Sequence, residues 1–466
     1  MQGELGIMKI YHAADIHLGR RRLDGRLPDE DIVAAFRFIA EEAIREKADV
    51  FLLAGDLFDR PQVEPPHLRQ AQEVLRLLKS AGIPVIAIEG NHDKQFVNTD
   101  APTWVRFLAE DDLLKLLRPE FDAAGARLNQ WTPESRSGAW LEIGGVRFVG
   151  AGYLGAATPH KLRQMLAQMA AGRTQVLLLH AGPEYFVGEG GGFSKADLQM
   201  IKEKVCYLAL GHIHKPMLHG GWACNPGSPE NCDLREAGYS HDKEGKPVER
   251  GYAVVEVDPT RPDQPVSLEL RSNPRRPCSR FELDCTPFGN KTRHGAAAFV
   301  DAAVKVIQAG SPEPAAVIEL VLTGALNLNR IALDQFQAAL EIAGQAGVFA
   351  VAIDTTRLNV GSGFAPGAPG AAELLPRDQL ERQAILQLVG DQPLWGLQDE
   401  SQAFADLFYE LKELVRGGQT GEAMASQIGT SPLVERIRLA TAAAAAAPVA
   451  PTPTAEEPVA AQEAAP

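Results

Sequence analysis

Five short polar clusters sit at the ends of apolar runs. "ADIHLG" holds Asp15 and His17, "GDLFD" holds Asp56 and Asp59, and "GNHD" holds Asn91, His92 and Asp93, while "LHAG" holds His180 and "GHIH" holds His212 and His214. Carboxylate, amide oxygen and imidazole without thiolate suit hard-to-borderline divalent cations such as Mn, Fe or Zn, rather than an all-oxygen Mg or Ca site. Each cluster alone admits a plainer reading. Asp-x-His is often a helix cap or a solvated loop, Asp56 and Asp59 can cap a helix start, and His180 after "VLLL" can be a satisfied core histidine. "GHIH" is sharper, because alternation in an extended segment sends His212 and His214 to the same side as a chelating pair. Taken together, so many ionisable groups buried at one edge would be costly without cations to neutralise them.

The elements that must deliver these residues are visible as a pattern. From Lys9 to about Val257, short runs rich in Val, Ile and Leu alternate with amphipathic segments: "IMKIYHAA", "DVFLLAG", "IPVIAIEG", "VRFVGAG", "TQVLLLHAG" and "CYLALGH". This is an α/β pattern, in which strand ends converge at the carboxyl edge of a sheet and supply one crevice from several loops. "DEDIVAAFRFIAEEAIREKA" has apolar positions at helical spacing, with Asp29 or Asp31 as candidate caps. "PPHLRQAQEVLRLLKSAG" starts after prolines and stops at Gly82, as a helix should. After Pro274 the pattern restarts as a β-α-β-α-β unit, giving domains at 8–258 and 270–357. A Gly/Pro/Ala-rich linker is expected at 358–376, two amphipathic helices within 377–438, and a disordered Ala/Pro-rich tail at 439–466.

Composition narrows the class. Apolar residues are 45% and charged residues 23% of the chain, ordinary for a globular protein. No apolar run approaches the length of a membrane span, and the N-terminus lacks the features of a secretory signal, so the expected location is the cytoplasm. Five cysteines without CxxC spacing fit neither a disulfide framework nor a zinc ribbon. A net charge of −14 argues against generic nucleic-acid coating, unless bound metals and a partner supply the positive field.

The ordered set Asp-x-His, Gly-Asp-x-x-Asp, Gly-Asn-His-Asp, His and Gly-His-x-His resembles the calcineurin-like metallophosphoesterase superfamily. Within it, "DIHLG", "AGDLFD", "IEGNHD" and "NPGSPE" with the following "LREAGY" resemble the SbcD-type DNA double-strand-break repair nucleases. The likeness covers roughly residues 8 to 258, and more loosely the second unit and the C-terminal helices. It implies an α/β fold: a metallophosphoesterase β-sandwich flanked by helices, with a small α/β capping domain and a C-terminal helical partner-binding segment. It implies two divalent ions, typically Mn2+. Asp15, His17 and His214 would hold one and Asn91, His180 and His212 the other, with Asp56 bridging. His92 would face the phosphate as catalyst and Asp93 would orient its ring. Some family members carry histidine where this chain has Asp59, which leaves Asp59 with the helix-cap reading.

Two basic stretches are candidate DNA contacts: Arg20, Arg21, Arg22 and Arg26 in "LGRRRLDGR", and Arg271, Arg275, Arg276 and Arg280 in "RSNPRRPCSR". Both would position a backbone without reading bases; a solvated basic loop is the alternative for the first. The C-terminal helices carry apolar stripes that a helix pair cannot bury alone. The resemblance implies that they bind an SMC-like ATPase of the SbcC type and that the nuclease subunit is a homodimer. The expected function is a metal-dependent DNA exonuclease and endonuclease; the alternative is a phosphoesterase acting on nucleotides or phosphoproteins.

Overall fold

The computed structural model describes residues 6–359 except 23–28, 95–101, 171–173, 188–190, 241–245, 247, 262, 289–295 and 326–334, together with 402–403, 406–407, 428–431 and 434. Met1–Ser362 form one compact unit and Gly363–Pro466 a second. The expected linker, C-terminal helices and tail lie almost entirely outside the described residues, as does Arg26.

In chain order the elements are β1 (Met8–Ala13), α1 (Glu30–Arg45), β2 (Val50–Ala54), α2 (Pro65–Ser80), β3 (Val85–Ile88), α3 (Trp104–Glu110), β4 (Lys115–Leu116), β5 (Glu120–Asp122), β6 (Gly125–Arg127), β7 (Trp140–Ile143), β8 (Val146–Ala151), α4 (Thr158–Gln168), β9 (Gln175–His180), α5 (Glu184–Val187), α6 (Lys195–Lys202), β10 (Tyr207–Gly211), β11 (Met217–His219), β12 (Ala223–Asn225), β13 (Gly251–Val257), β14 (Ser267–Ser272), β15 (Cys278–Asp284), α7 (Ala296–Ala309), β16 (Val317–Ala325), α8 (Gln335–Ala346) and β17 (Ala350–Asn359). Two six-stranded sheets, ordered β14-β13-β1-β2-β3-β4 and β11-β12-β10-β9-β8-β7, pack face to face.

The six apolar runs are β1, β2, β3, β8, β9 and β10, and they run unbroken because both faces of each are buried. Alternation along β1 puts Ile10 between the sheets and Tyr11 and Ala13 under the helices. His12 crosses the sandwich: fully buried, its Nδ1 lies 2.8 Å from the Tyr207 hydroxyl. On the outer face of the first sheet, α1 lays down Ile32, Phe36 and Ile39 and α2 lays down Val74, Leu75 and Leu78. Each such buried side chain contributes about 1.5–3 kcal/mol. On the second sheet, α4 and α6 cover Leu177, Leu179 and Leu208 with Leu162, Met165 and Ile201. Asp29 does occupy the N-cap of α1 but makes no capping hydrogen bond; its carboxylate meets His67 Nε2 at 3.2 Å.

β14 pairs with β13 and belongs to the first sheet, so the following α/β layer begins after it rather than at residue 270. That layer has the β-α-β-α-β order: β15, β16 and β17 form a parallel sheet covered by α7 and α8 around Phe299, Ile307, Leu320 and Ile342. It is tied to the sandwich by Arg276, whose guanidinium donates to both oxygens of Asp31 on α1 at 2.8 and 2.9 Å and lies 3.9 Å over the Phe349 ring. All five cysteines are free. Among the described residues no helix is long and apolar enough to cross a membrane.

Candidate metal centre

The parallel registers bring strand ends level. Ala13 lies opposite Leu53 and Ala54 opposite Ile88 in the first sheet, and His180 opposite Gly211 in the second. Asp15, Asp56 and Asn91 therefore follow three adjacent strands of one sheet, while His180, His212 and His214 come from two adjacent strands of the other. The loops interlock through hydrogen bonds from Asp15 N to Gly55 O and from His17 N to Asp56 O, at 3.1 and 3.0 Å. Two glycines permit this closeness: a Cβ on Gly90 would strike the Asp56 carboxylate, and one on Gly55 would strike the His180 ring. Asp15, His17, Asp56 and His212 all hold positive φ, at 53°, 56°, 53° and 92°. Such backbone strain in non-glycine residues persists only where the surroundings impose it, and it concentrates at functional sites.

The side chains converge. Asp15, His17, Asp56 and His180 are buried, and Asn91, His92, His212 and His214 half-buried. His17 Nε2 is 3.0 Å from His214 Nε2 and 3.6 Å from Asp56 Oδ2. His180 Nε2 is 3.2 Å from Asp56 Oδ2 and 3.1 Å from Asn91 Oδ1, which also meets His212 Nδ1 at 2.9 Å. The His212 backbone N–H donates to both Asp15 oxygens at 2.9 and 3.1 Å. Three triads have ligand-type atoms within 4.8 Å of one another: Asp15, Asp56 and His180; His17, Asp56 and His92; and His17, His214 and Cys232. Asp56 is shared by two of them, and all the sequence-singled ligands fall in one cluster.

These donors fit divalent cations. His17 Nε2 and His214 Nε2 face each other at 3.0 Å and need either a proton or a cation between them, a place a divalent ion can take. The second nitrogens are anchored outward: His180 Nδ1 donates to Ala54 O at 2.8 Å and His214 Nδ1 to Glu236 at 2.7 Å, leaving each Nε2 lone pair facing inward. Burial lifts Asp15, and the Asp56 charge adds to the rise. Burial opposes charging His180, yet Asp56 and Asp15 raise it to about 9. His214 rises against burial to about 11 beside Cys232 and Glu236, whereas burial and the His180 charge lower His212 to about 4. Protons and a cation thus compete for the same places in this cluster.

Several expected roles come out differently. The His92 ring is held by the backbone oxygen of Asp59, 2.7 Å from Nδ1, and not by Asp93. Asp93 is 4% exposed and accepts from the backbone N–H groups of Gly90, Phe58 and Leu57 at 2.8, 3.0 and 3.4 Å, so it locks two ligand loops together. Burial first, then the nearby Asp56 charge, pushes its carboxyl up to about 7. Asp59 caps no helix, since the N-cap of α2 is Glu64. It is buried, with Oδ1 3.4 Å from His17 Nδ1 and 3.0 Å from Arg20 Nη1. Arg20 is half-buried and Arg21 exposed. Arg22 is 5% exposed between Asp31 and Glu230, at 3.2 and 3.4 Å. Arg275 donates to the carbonyls of Pro229 and Arg250, and Arg276 to Asp31. Arg22, Arg275 and Arg276 therefore serve as internal ties rather than an open strip, and Arg271 and Arg280 pair with Glu46, Glu269 and Glu319. Sequence reasoning missed Glu236 and Cys232 beside His214, although "LREAGY" contains the former. It also missed Tyr153, whose ring lies 5.2 Å from that of His212.

Residues 8–216 match the calcineurin-like phosphoesterase family. The match covers most of the two-sheet sandwich and of the seam of metal-ligand types, so a metallophosphoesterase domain is what this part of the chain resembles. Its relatives include the DNA double-strand break repair proteins Mre11 of three archaea. That of Archaeoglobus fulgidus is 31% identical over 248 residues, which is 49% of this chain and 52% of the relative. That of Aeropyrum pernix is 29% identical over 220 residues, 45% and 50% of the two chains. That of Sulfurisphaera tokodaii is 29% identical over 274 residues, 56% and 63%. The chain thus spans about half to somewhat under two thirds of the length of these relatives. Among solved structures, a dimetal phosphatase from Danio rerio aligns over 53% of this chain and 92% of its own at 12% identity and a TM-score of 0.32, too distant a likeness to inform the site.

Proposed function

We propose that this protein is a metal-dependent DNA repair nuclease that hydrolyses phosphodiester bonds at DNA ends or hairpins. The observation that carries the reading is the convergence of seven ligand-type residues, Asp15, His17, Asp56, Asn91, His180, His212 and His214, on one seam between two sheets, in a chain related to archaeal Mre11. In this reading Asp15, His17 and His214 hold one ion, Asn91, His180 and His212 a second, and Asp56 serves both; Mn2+ is the proposed metal. Bound divalent ions supply Lewis acidity to the phosphate and acidify water, so no serine or cysteine nucleophile is needed.

The chain's own groups do the rest. His92, with Nδ1 committed to Asp59 O, has Nε2 left to meet the phosphate and to stabilise charge or hand a proton to the leaving oxygen. Asp93 acts at one remove, by fixing the backbone that presents Asn91 and His92. Arg20 and Arg21 are the retained candidates for steering a DNA backbone toward the seam. The segment 377–438, expected from sequence to be helical, is the proposed dock for an SMC-like ATPase, and the proposed working form is a homodimer.

The test is digestion of end-labelled linear and hairpin DNA with Mn2+, with and without the ATPase. Strand scission that chelation abolishes is expected, and activity confined to small phosphodiesters refutes the nuclease reading. In parallel, His92→Gln retains two metals per chain and loses most turnover, whereas Asp56→Asn loses metal. Equal metal loss in both variants would make His92 a ligand.

A further inference from the structure

Behind His214 runs a chain of buried charged groups that leads away from the metal seam. Glu236, 7% exposed, lies on the short helical turn Leu234–Ser240. Its Oε1 accepts from His214 Nδ1 at 2.7 Å, while Oε2 accepts from the Cys232 backbone N–H at 2.9 Å and the Ser228 hydroxyl at 3.2 Å. The carboxylate has no rotational freedom left. Next to it, 3.8 Å from Oε2, is the guanidinium of Arg250, which is fully buried. Arg250 donates to the backbone oxygens of Ser228, Glu236 and Glu230 at 3.0, 2.6 and 3.2 Å and to the Ser228 hydroxyl at 3.1 Å. Its own backbone oxygen accepts from Arg275, which lies just ahead of β15 and also donates to Pro229 O at 2.6 Å.

A buried Arg–Glu pair is a poor way to gain stability, since an apolar pair of similar volume does as well or better. What an apolar pair cannot do is hold an imidazole in one tautomer. A carboxylate on Nδ1–H leaves the lone pair on Nε2, the nitrogen that lies 3.0 Å from His17 Nε2 in the seam.

We propose that Glu236 is a positioning residue for His214, and that Arg250 holds Glu236 in place and joins this pair to the segment on which the α/β layer β15–β17 is mounted. The proposal rests on the metal reading of the seam. The chain His214, Glu236, Arg250, Arg275 makes the ion at His214 sensitive to how that layer is seated. The other ion, held by Asn91, His180 and His212, has no member of this chain among its ligands.

The experiment uses the full chain and Mn2+ as the probe, with affinities of both ions read by chelator competition and unfolding followed without metal. Glu236→Ala is expected to weaken one of the two ions by about 10–100-fold and to leave the other unchanged. Glu236→Gln, which keeps an acceptor for Nδ1–H but loses the charge, is expected to fall between Ala and wild type. Arg250→Lys is expected to weaken the same ion as Glu236→Ala. Wild-type affinity for both ions in folded Glu236→Gln and Glu236→Ala overturns the proposal, as does equal weakening of both ions. If Ala does not fold, the Gln variant alone decides in the same terms. Wild-type protein that binds no pair of ions overturns the metal reading itself, a failure distinct from that of Glu236.

Discussion

Replacing Asp59 by alanine separates the role the structure gives it from helix capping. The carboxylate is 3% exposed and touches Arg20 at 3.0 Å, Arg60 at 3.5 Å and His17 Nδ1 at 3.4 Å. Removing it leaves His17 Nδ1, a buried atom without a hydrogen-bond partner, next to no anion at all. The Arg20 side chain is 35% exposed and can turn to water, so losing that ion pair costs at most about 1 kcal/mol. The effect on metal should be larger. Loss of a carboxylate behind a metal-bound histidine weakens the ion by about 10–100-fold, or roughly 1.4–2.7 kcal/mol. Mn2+ binding by chelator competition, together with melting curves with and without metal, reads both quantities. The expected result is a nearly unchanged metal-free melting temperature and a much smaller upward shift on adding Mn2+. A lowered metal-free melting temperature with wild-type Mn2+ affinity would refute the argument and return Asp59 to a purely structural role.

Metal binding should expel protons. Against burial, the nearby Asp56 and Asp15 charges raise His180 to about 9, and Cys232 and Glu236 raise His214 to about 11, both above the ordinary 6.5. Their stabilising contribution is therefore complete below about pH 6.5 and is lost as pH rises through those values. The metal-free melting temperature should fall between pH 7 and 9.5 while Mn2+ affinity rises; calorimetry in buffers of different ionisation enthalpy should show proton release, and its absence would contradict the assignment. Asp31→Ala takes one carboxylate from Arg22, which keeps Glu230 at 3.4 Å, and unpairs Arg276 from α1. A loss of about 1.5–3 kcal/mol in urea unfolding is expected from the lost charge-assisted hydrogen bonds, and a loss under about 0.5 kcal/mol would show that neither ion pair matters. Deleting 377–466 should spare hydrolysis of a small phosphodiester and abolish ATPase binding in a pull-down; retained binding moves the interface elsewhere.

The parts of this fold that were legible in the sequence are those where local pattern and final environment agree. β1, β2, β3, β8, β9 and β10 are buried on both faces, so their apolar runs stand out. β11 and β12 have three residues each, and β13 is defined by pairing with β1 at the far end of the domain, as Met8 opposite Val257 shows. No local signal marks such pairing. The metal-ligand types were legible because a cation demands particular atoms. Their supports were not: Ala54 and Asp59 act through backbone oxygens, which any residue has. Charge clustering misled for the same reason. Arg276 and Asp31 are 245 positions apart, and a string of arginines looks the same whether its partners are phosphates or distant carboxylates.

The glycine-permitted contact between the two sheets has a kinetic meaning. Backbone meets side chain so closely at Gly55 and Gly90, above a packed apolar layer containing Ala14, Ala54 and Ile88, that the floor of the seam is closed. Among the described residues of the seam, the half-buried rim of Asn91, His92, His212 and His214 opens outward. If the proposed ions and DNA end both enter over that rim, a bound DNA end would act as a stopper that slows the escape of the metals beneath it.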